Sequence, residues 1–260
     1  MKYYNILIKT VNKVAEIKLN RPDVLNSFNF QMADEVLHAL EKSKNDQKVR
    51  AIIISGIGRA FCAGQDLEEA TKDDAPNISE IINHTYNPLV KKIKSIKKPV
   101  ICFVNGIAAG AGANLAICCD VTFATKSAKF IQSFINIGLI PDTGGTYYLP
   151  RIIGRQKAIG LMFSGEKISS EDAEKIGMIY KSVEDENGYE IAYNFAKKLS
   201  LMPTKSIGMI KTLINKSYEN NLADQLDLEK EIQTIAATTR DYKEGVSAFL
   251  EKRNPKYIGE

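Results

Sequence analysis

The stretch "KPVICFVNGIAAGAGANLAICCD", Lys98 to Asp120, reads as a buried strand, a glycine turn and the start of a helix. "PVICFV" is a short apolar run of the kind that forms a strand covered on both faces. The small residues at 106–113 let another group come close to the backbone, and "ANLAICC" then begins a helix. Free N–H groups at such a helix start can bind an anion or a polarised carbonyl. A dinucleotide fingerprint is a poor fit, because "GAGANL" has Leu115 where the pattern needs its last glycine. A second turn, "SGIGRAFCAGQDLEE" (Ser55–Glu69), also follows a strand, "AIII". Neither turn has the Gly-Lys-Ser/Thr of a phosphate loop. Small residues for tight packing would explain either turn alone. Two of them feeding from adjacent strands suggest a pair of N–H donors converging on one oxygen.

Strand-like runs recur at "YNILIKT", "VAEIKLN", "VRAIIISG" and "DVTFAT", with helical stretches "FNFQMADEVLHALEKSKND" and "ISEIINHTYNPLVKKIKSI" between them. Alternation of this kind predicts stacked β-α units. After about Pro150 the pattern turns helical, and "SSED" before "AEKIG" reads as a helix N-cap with acids in the first turn. The expected class is α/β, with a core over residues 1–200 and a helical region over 201–260.

With 260 residues the chain can bury a full core, and 44% hydrophobic with 25% charged residues is ordinary for a globular protein. No apolar run is long enough for a membrane span, and the N-terminus alternates like a strand instead of reading as a signal peptide. Cys62, Cys102, Cys118 and Cys119 lie in apolar surroundings without metal or redox spacing, so buried reduced thiols and a cytoplasmic setting are expected. His38 and His84 fall in no metal-ligand pattern. A net charge of +4 is mild. The basic run Lys91–Lys98 reads as the solvated face of an amphipathic helix whose apolar side includes Val90, Ile93 and Ile96, and not as a nucleic-acid surface.

"LNRPDVLNSF", "AFCAGQDL", the Lys98–Asp120 stretch, "IGLIPDTGG" and "EGVSAFLEKR" resemble, in order, the landmarks of the enoyl-CoA hydratase/isomerase (crotonase) superfamily. Within it, "FIQSFINIGLIPDTGGT" and the C-terminal segment are most similar to the phenylacetate-pathway isomerases that act on a ring epoxide. The resemblance implies a β-β-α spiral core with a helical trimerisation region, assembled as a trimer or dimer of trimers. It implies a coenzyme A thioester as substrate, with no separate cofactor. The oxyanion-hole N–H groups map to Gln65 and Ala111, beside Gly110. Ala63, Asp66 and Leu67 map to the coenzyme A loop, although Asp66 could equally be a helix N-terminal acid. Phe249 and Lys252 map to C-terminal contacts with coenzyme A, in some members across subunits.

The chain departs from the hydratase pattern at both acids. Asn114 stands at the first glutamate position and Phe134 at the second, and neither can transfer a proton. Asp142 matches the single aspartate of the family's isomerases, set in a Pro-Asp-Thr-Gly-Gly turn. Turn chemistry alone would also accommodate an aspartate there. Asp120, after a helix, reads as structural. A nucleophilic aspartate of the dehalogenase kind would need a tryptophan-lined halide site, and the chain has no Trp. Phe134 would then be an apolar wall for the acyl group, or simply core. The expected activity is acyl-CoA isomerisation with Asp142 as acid/base. The rival readings are an enoyl-CoA hydratase and a non-catalytic acyl-CoA or RNA binder.

Overall fold

The structure is a computed structural model that describes residues 1–71 and 75–260. The chain runs as repeated β-β-α units. β1 (Ile6–Val11) and β2 (Val14–Leu19) lead to α1 (Phe30–Asn45). β3 (Ala51–Gly56) and β4 (Ala60–Cys62) lead to α2 (Leu67–Ala70), α3 (Ile78–His84) and α4 (Tyr86–Ser95). β5 (Val100–Val104) and β6 (Ile107–Ala109) lead to α5 (Ala111–Cys118). After β7 (Val121–Thr125) and β8 (Lys129–Ile131) come α6 (Gly145–Ile153), α7 (Arg155–Ser164), β9 (Lys167–Ser169), α8 (Ser170–Lys175) and β10 (Lys181–Val183). The helices α9 (Gly188–Leu199), α10 (Thr204–Ser217), α11 (Leu222–Ala236) and α12 (Arg240–Leu250) follow.

From β3 to β8, successive strands alternate between two sheets. A larger sheet has the order β1-β2-β3-β5-β7-β10, antiparallel only between β1 and β2; a smaller one has the order β4-β6-β8-β9, antiparallel only between β8 and β9. Each of the pairs β3/β4, β5/β6 and β7/β8 therefore steps from the large sheet to the small one, which winds the chain into a spiral. This is the expected α/β spiral core followed by helices.

The central strands are continuous apolar runs because both faces are covered. On β3, Ile52 and Ile54 join the main core, while Ala51 and Ile53 face a second core that includes Ala192 and Ala196 of α9. β5 divides the same way, Val100, Cys102 and Val104 against Ile101 and Phe103. All four cysteines are free and buried. Burial pushes the Cys62 thiol up to about 12, so it is inert at neutral pH.

The region that reads as helical after about Pro150 also contains β9 and β10, and its first helix, α6, begins earlier, at Gly145. Ser169 caps α8 by accepting from the Asp172 N–H at 3.1 Å. The buried stripe of α4 is Tyr86, Leu89 and Ile93. The basic run is less solvated than its charge implies: Lys92 pairs with Glu41, and Lys98 donates to the Ser43 and Asp46 carbonyls at 2.8 Å each. α10 is pinned to the core by buried Lys211, which donates to Asp120 at 2.7 Å and to the Ile93 carbonyl at 2.8 Å. Asp120 also accepts from the Val100 N–H at 2.8 Å, the structural role expected of it. Among the described residues, no helix is long and apolar enough to cross a membrane.

Candidate active site

The two glycine turns leave adjacent strands of the large sheet, β3 and β5, and meet. Glycine makes the contact possible. A Cβ added to Gly106 would lie 2.2 Å from the Arg59 carbonyl oxygen, and one added to Gly112 would lie 2.2 Å from that of Cys62. Neither approach is open to any other residue. Gly64, at φ +99°, is so close to the second turn that its added Cβ would fall 3.6 Å from the Ala111 nitrogen. Two asparagines brace the first turn. Asn26 donates to the Ile57 and Ala60 carbonyls at 3.0 and 2.8 Å, and Asn105 accepts from Gly56 at 2.9 Å while donating to Gly58 at 2.8 Å.

The Gln65 and Ala111 N–H groups are left over. The Ala63 N–H donates to Leu25, the Phe28 N–H donates to Gly64, and the Asp66 N–H donates to Phe28, passing over Gln65. Ala111 is the first residue of α5, where N–H groups have no partner inside the helix. Among the described residues, neither the Gln65 nor the Ala111 N–H donates a hydrogen bond within the chain.

Both residues line a cavity of about 530 Å³, and Asp142 lines it too. Its walls are mainly apolar, with Ile81, Tyr86 and Phe134 among them. Among the described residues, Asp142 is the one carboxylate in the lining. Burial pushes the Asp142 carboxyl above its ordinary value, while the Thr143 hydroxyl, donating at 2.7 Å, and its own backbone N–H pull the other way. Burial, then the nearby Cys62 and Asp142, keep the Tyr86 phenol neutral, and its hydroxyl donates to the Gln65 side chain at 2.9 Å.

The cavity thus gathers Ala63, Gln65, Leu67, Gly110, Ala111, Phe134 and Asp142 of the residues singled out from the sequence. Asp66 lies outside its lining. It caps α2, accepting from Glu68 at 3.1 Å and Glu69 at 3.4 Å, and pairs with Arg21 at 2.8 Å, the helix-terminal use the sequence allowed. Phe249, on α12, and Lys252, just beyond it, are exposed and line no part of the cavity. Asn114 is fully buried and also outside the lining; its side chain turns to the backbone of Asp142.

Tyr86, Thr143 and Gln132 were not anticipated. Extending the apolar stripe of α4 back one turn from Leu89 and Ile93 would have marked Tyr86 as buried, but not the aim of its hydroxyl.

A family model described as Enoyl-CoA hydratase/isomerase matches residues 9–260. The chain is 45% identical to the 1,2-epoxyphenylacetyl-CoA isomerase of Escherichia coli (strain K12), covering 98% of both chains. It is 39% identical to a Rhodobacter capsulatus protein described as "Probable enoyl-CoA hydratase", with all of both chains covered. Among solved structures, an enoyl-CoA hydratase subunit from Geobacillus kaustophilus superposes with a TM-score of 0.93 at 34% identity, again with all of both chains covered. The chain belongs to the enoyl-CoA hydratase/isomerase family, as an acyl-CoA enzyme with the crotonase fold.

Proposed function

We infer that the protein is an acyl-CoA isomerase. The Gln65 and Ala111 N–H groups hold the thioester oxygen as it gains enolate charge, and Asp142 moves the proton. One observation carries this reading: Asp142 lines the same cavity as two N–H groups that no acceptor among the described residues uses.

In a 3-enoyl-CoA the carboxylate takes a proton from C2. The electron pair spreads through the dienolate onto the thioester oxygen, where preorganised donors stabilise it. The carboxylic acid so formed returns the proton at C4, and the double bond moves to C2–C3. No water is consumed, so no second acid is required. The raised pKa of Asp142 suits it to both halves of the transfer. A ring-epoxide substrate, rearranged to an oxepin, is the sharper form of the same reading. Its support is the 45% identity to an enzyme named for that substrate and an apolar wall that includes Phe134. Hydration is the competing reading, named for the Rhodobacter relative.

In this account Ala63 and Leu67 lie along the coenzyme A arm. Phe249 and Lys252, remote from their own cavity, reach the coenzyme A of a neighbouring copy. Residues 201–260 form the oligomerisation region on the 1–200 core, giving a trimer or a dimer of trimers; exposed Ile210, Leu226 and Leu250 support that assignment.

Asp142→Asn tests the reading. Isomerisation of a 3-enoyl-CoA is expected to fall by about 10²–10⁴-fold, the usual worth of a general acid/base, with acyl-CoA binding retained. Unchanged turnover would refute it.

A further inference from the structure

The position where hydratases of the family carry their first glutamate is filled here by a side chain with its own bonding pattern. Asn114 Nδ2 donates to the Asp142 carbonyl at 2.9 Å, and its Oδ1 accepts from Gln132 Nε2 at 2.9 Å. The chemistry dictates which way round both amides sit. A carbonyl oxygen can only accept, so Asn114 must turn its NH₂ to Asp142, and its oxygen then needs the NH₂ of Gln132. That leaves Gln132 Oε1, which is buried and has no hydrogen-bond partner among the described residues. A buried orphan acceptor costs stability and calls for a reason.

Space around the pair is equally specific. A Cβ added to Gly145 would lie 2.3 Å from Asn114 Nδ2, so the second glycine of Asp-Thr-Gly-Gly is what admits the asparagine. The Gly145 N–H donates to the Asp142 carbonyl at 2.8 Å, giving that oxygen two donors. Between them Thr143 sits at φ +53°, a strained conformation for a β-branched residue, with its hydroxyl on the Asp142 carboxylate. Released from its second donor, this turn would relax away from the strained shape that aims the carboxylate.

We propose that Asn114, oriented by Gln132, is a positioning residue for Asp142: it clamps the Asp142 carbonyl and so fixes the carboxylate over the reacting carbons. The proposal rests on the acid/base reading of Asp142. It also gives the missing hydratase glutamate a cause. The side chain at 114 is committed to the turn and lies outside the cavity lining.

The test is steady-state isomerisation of a 3-enoyl-CoA by Asn114→Ala, Gln132→Leu and Asp142→Asn, and by Asn114→Ala combined with Asp142→Asn. Asn114→Ala is expected to lower kcat by about 10–100-fold, the scale of a carboxylate displaced by about an ångström, with KM within about threefold. Gln132→Leu removes the orphan oxygen together with the orienting donor. Because Asn114 Oδ1 then replaces Gln132 Oε1 as a buried acceptor without a donor, the melting temperature is expected to stay near that of the wild type while kcat falls, a split that a purely structural role would not produce. In the Asp142→Asn background, Asn114→Ala is expected to change the residual rate by less than about twofold, because coupled residues do not add.

Equal losses from Asn114→Ala with and without the carboxylate would overturn the proposal, as would wild-type kcat in both Asn114→Ala and Gln132→Leu. Full activity in Asp142→Asn alone would instead overturn the acid/base reading beneath it. Should Asn114→Ala not fold, Gln132→Leu carries the same kcat and stability readouts.

Discussion

On the donor side of the cavity, glycines at 64, 106 and 112 let two backbone turns press together, and the free N–H groups belong to chain neighbours of these glycines, Gln65 after Gly64 and Ala111 before Gly112. On the acid side, Asp142 is held by side chains, with Thr143 on its carboxylate and Asn114 on its carbonyl. The first arrangement is encoded by what is absent, a Cβ, and the second by what is present, named donors and acceptors. The donor side should therefore be less sensitive at the Gln65 side chain than at the glycines beside the donors. The acid side should be sensitive at the side chains themselves.

The largest effect expected from this contrast is at Gly112→Ala. The new Cβ meets the Cys62 carbonyl at 2.2 Å, and backbone must move to relieve it. Losing the alignment of one donor costs about 10²–10³-fold in turnover, so a fall of that order in kcat is expected. Gln65→Ala, measured beside it, keeps the backbone donor and removes only the acceptor of the Tyr86 hydroxyl, so its loss should stay well below that of Gly112→Ala. Comparable losses at both would break the distinction.

A smaller effect separates the acid side by pH. The carboxylate must be ionised to accept a proton, and burial raises its pKa, so kcat/KM should fall as pH drops through a value above the ordinary 3.8. The Thr143 hydroxyl favours the ionised form. Thr143→Val should therefore move the acid limb to higher pH, seen in a kcat/KM profile. A limb that stays in place or moves down would separate the limb from Asp142.

The larger sheet was legible, apart from the three-residue β10 ("KSV"), because its other strands include runs of β-branched and apolar residues such as "AIIIS" and "VICFV". The smaller sheet was not. β4, β6, β8 and β9 are three residues each, "AFC", "IAA", "KFI" and "KIS", too short to show alternation, and two of them lie inside segments that read as glycine turns. Within the cavity, Gln65, Ala111 and Asp142 could be picked out because the family landmarks flank them. Asn114 could be seen only as an absent glutamate. Its bonds reach residues 28 and 18 positions away, Asp142 and Gln132, through an orientation that exists only after folding. Gln132 carries no sequence signal at all, and Thr143 reads as turn chemistry until its φ of +53° is seen.

The central claim is that one carboxylate facing two unused N–H groups shuttles a proton and does not activate water. Supplying the wild-type protein with crotonyl-CoA and, separately, with a 3-enoyl-CoA tests it most directly, by following 3-hydroxyacyl-CoA and 2-enoyl-CoA as products. The account predicts that the 3-enoyl-CoA is converted to the 2-enoyl-CoA at least about 100-fold faster than crotonyl-CoA is hydrated, the lower worth of an acid/base present for one reaction and absent for the other. Rapid hydration of crotonyl-CoA, with little or no shift of the 3-enoyl double bond, would contradict it.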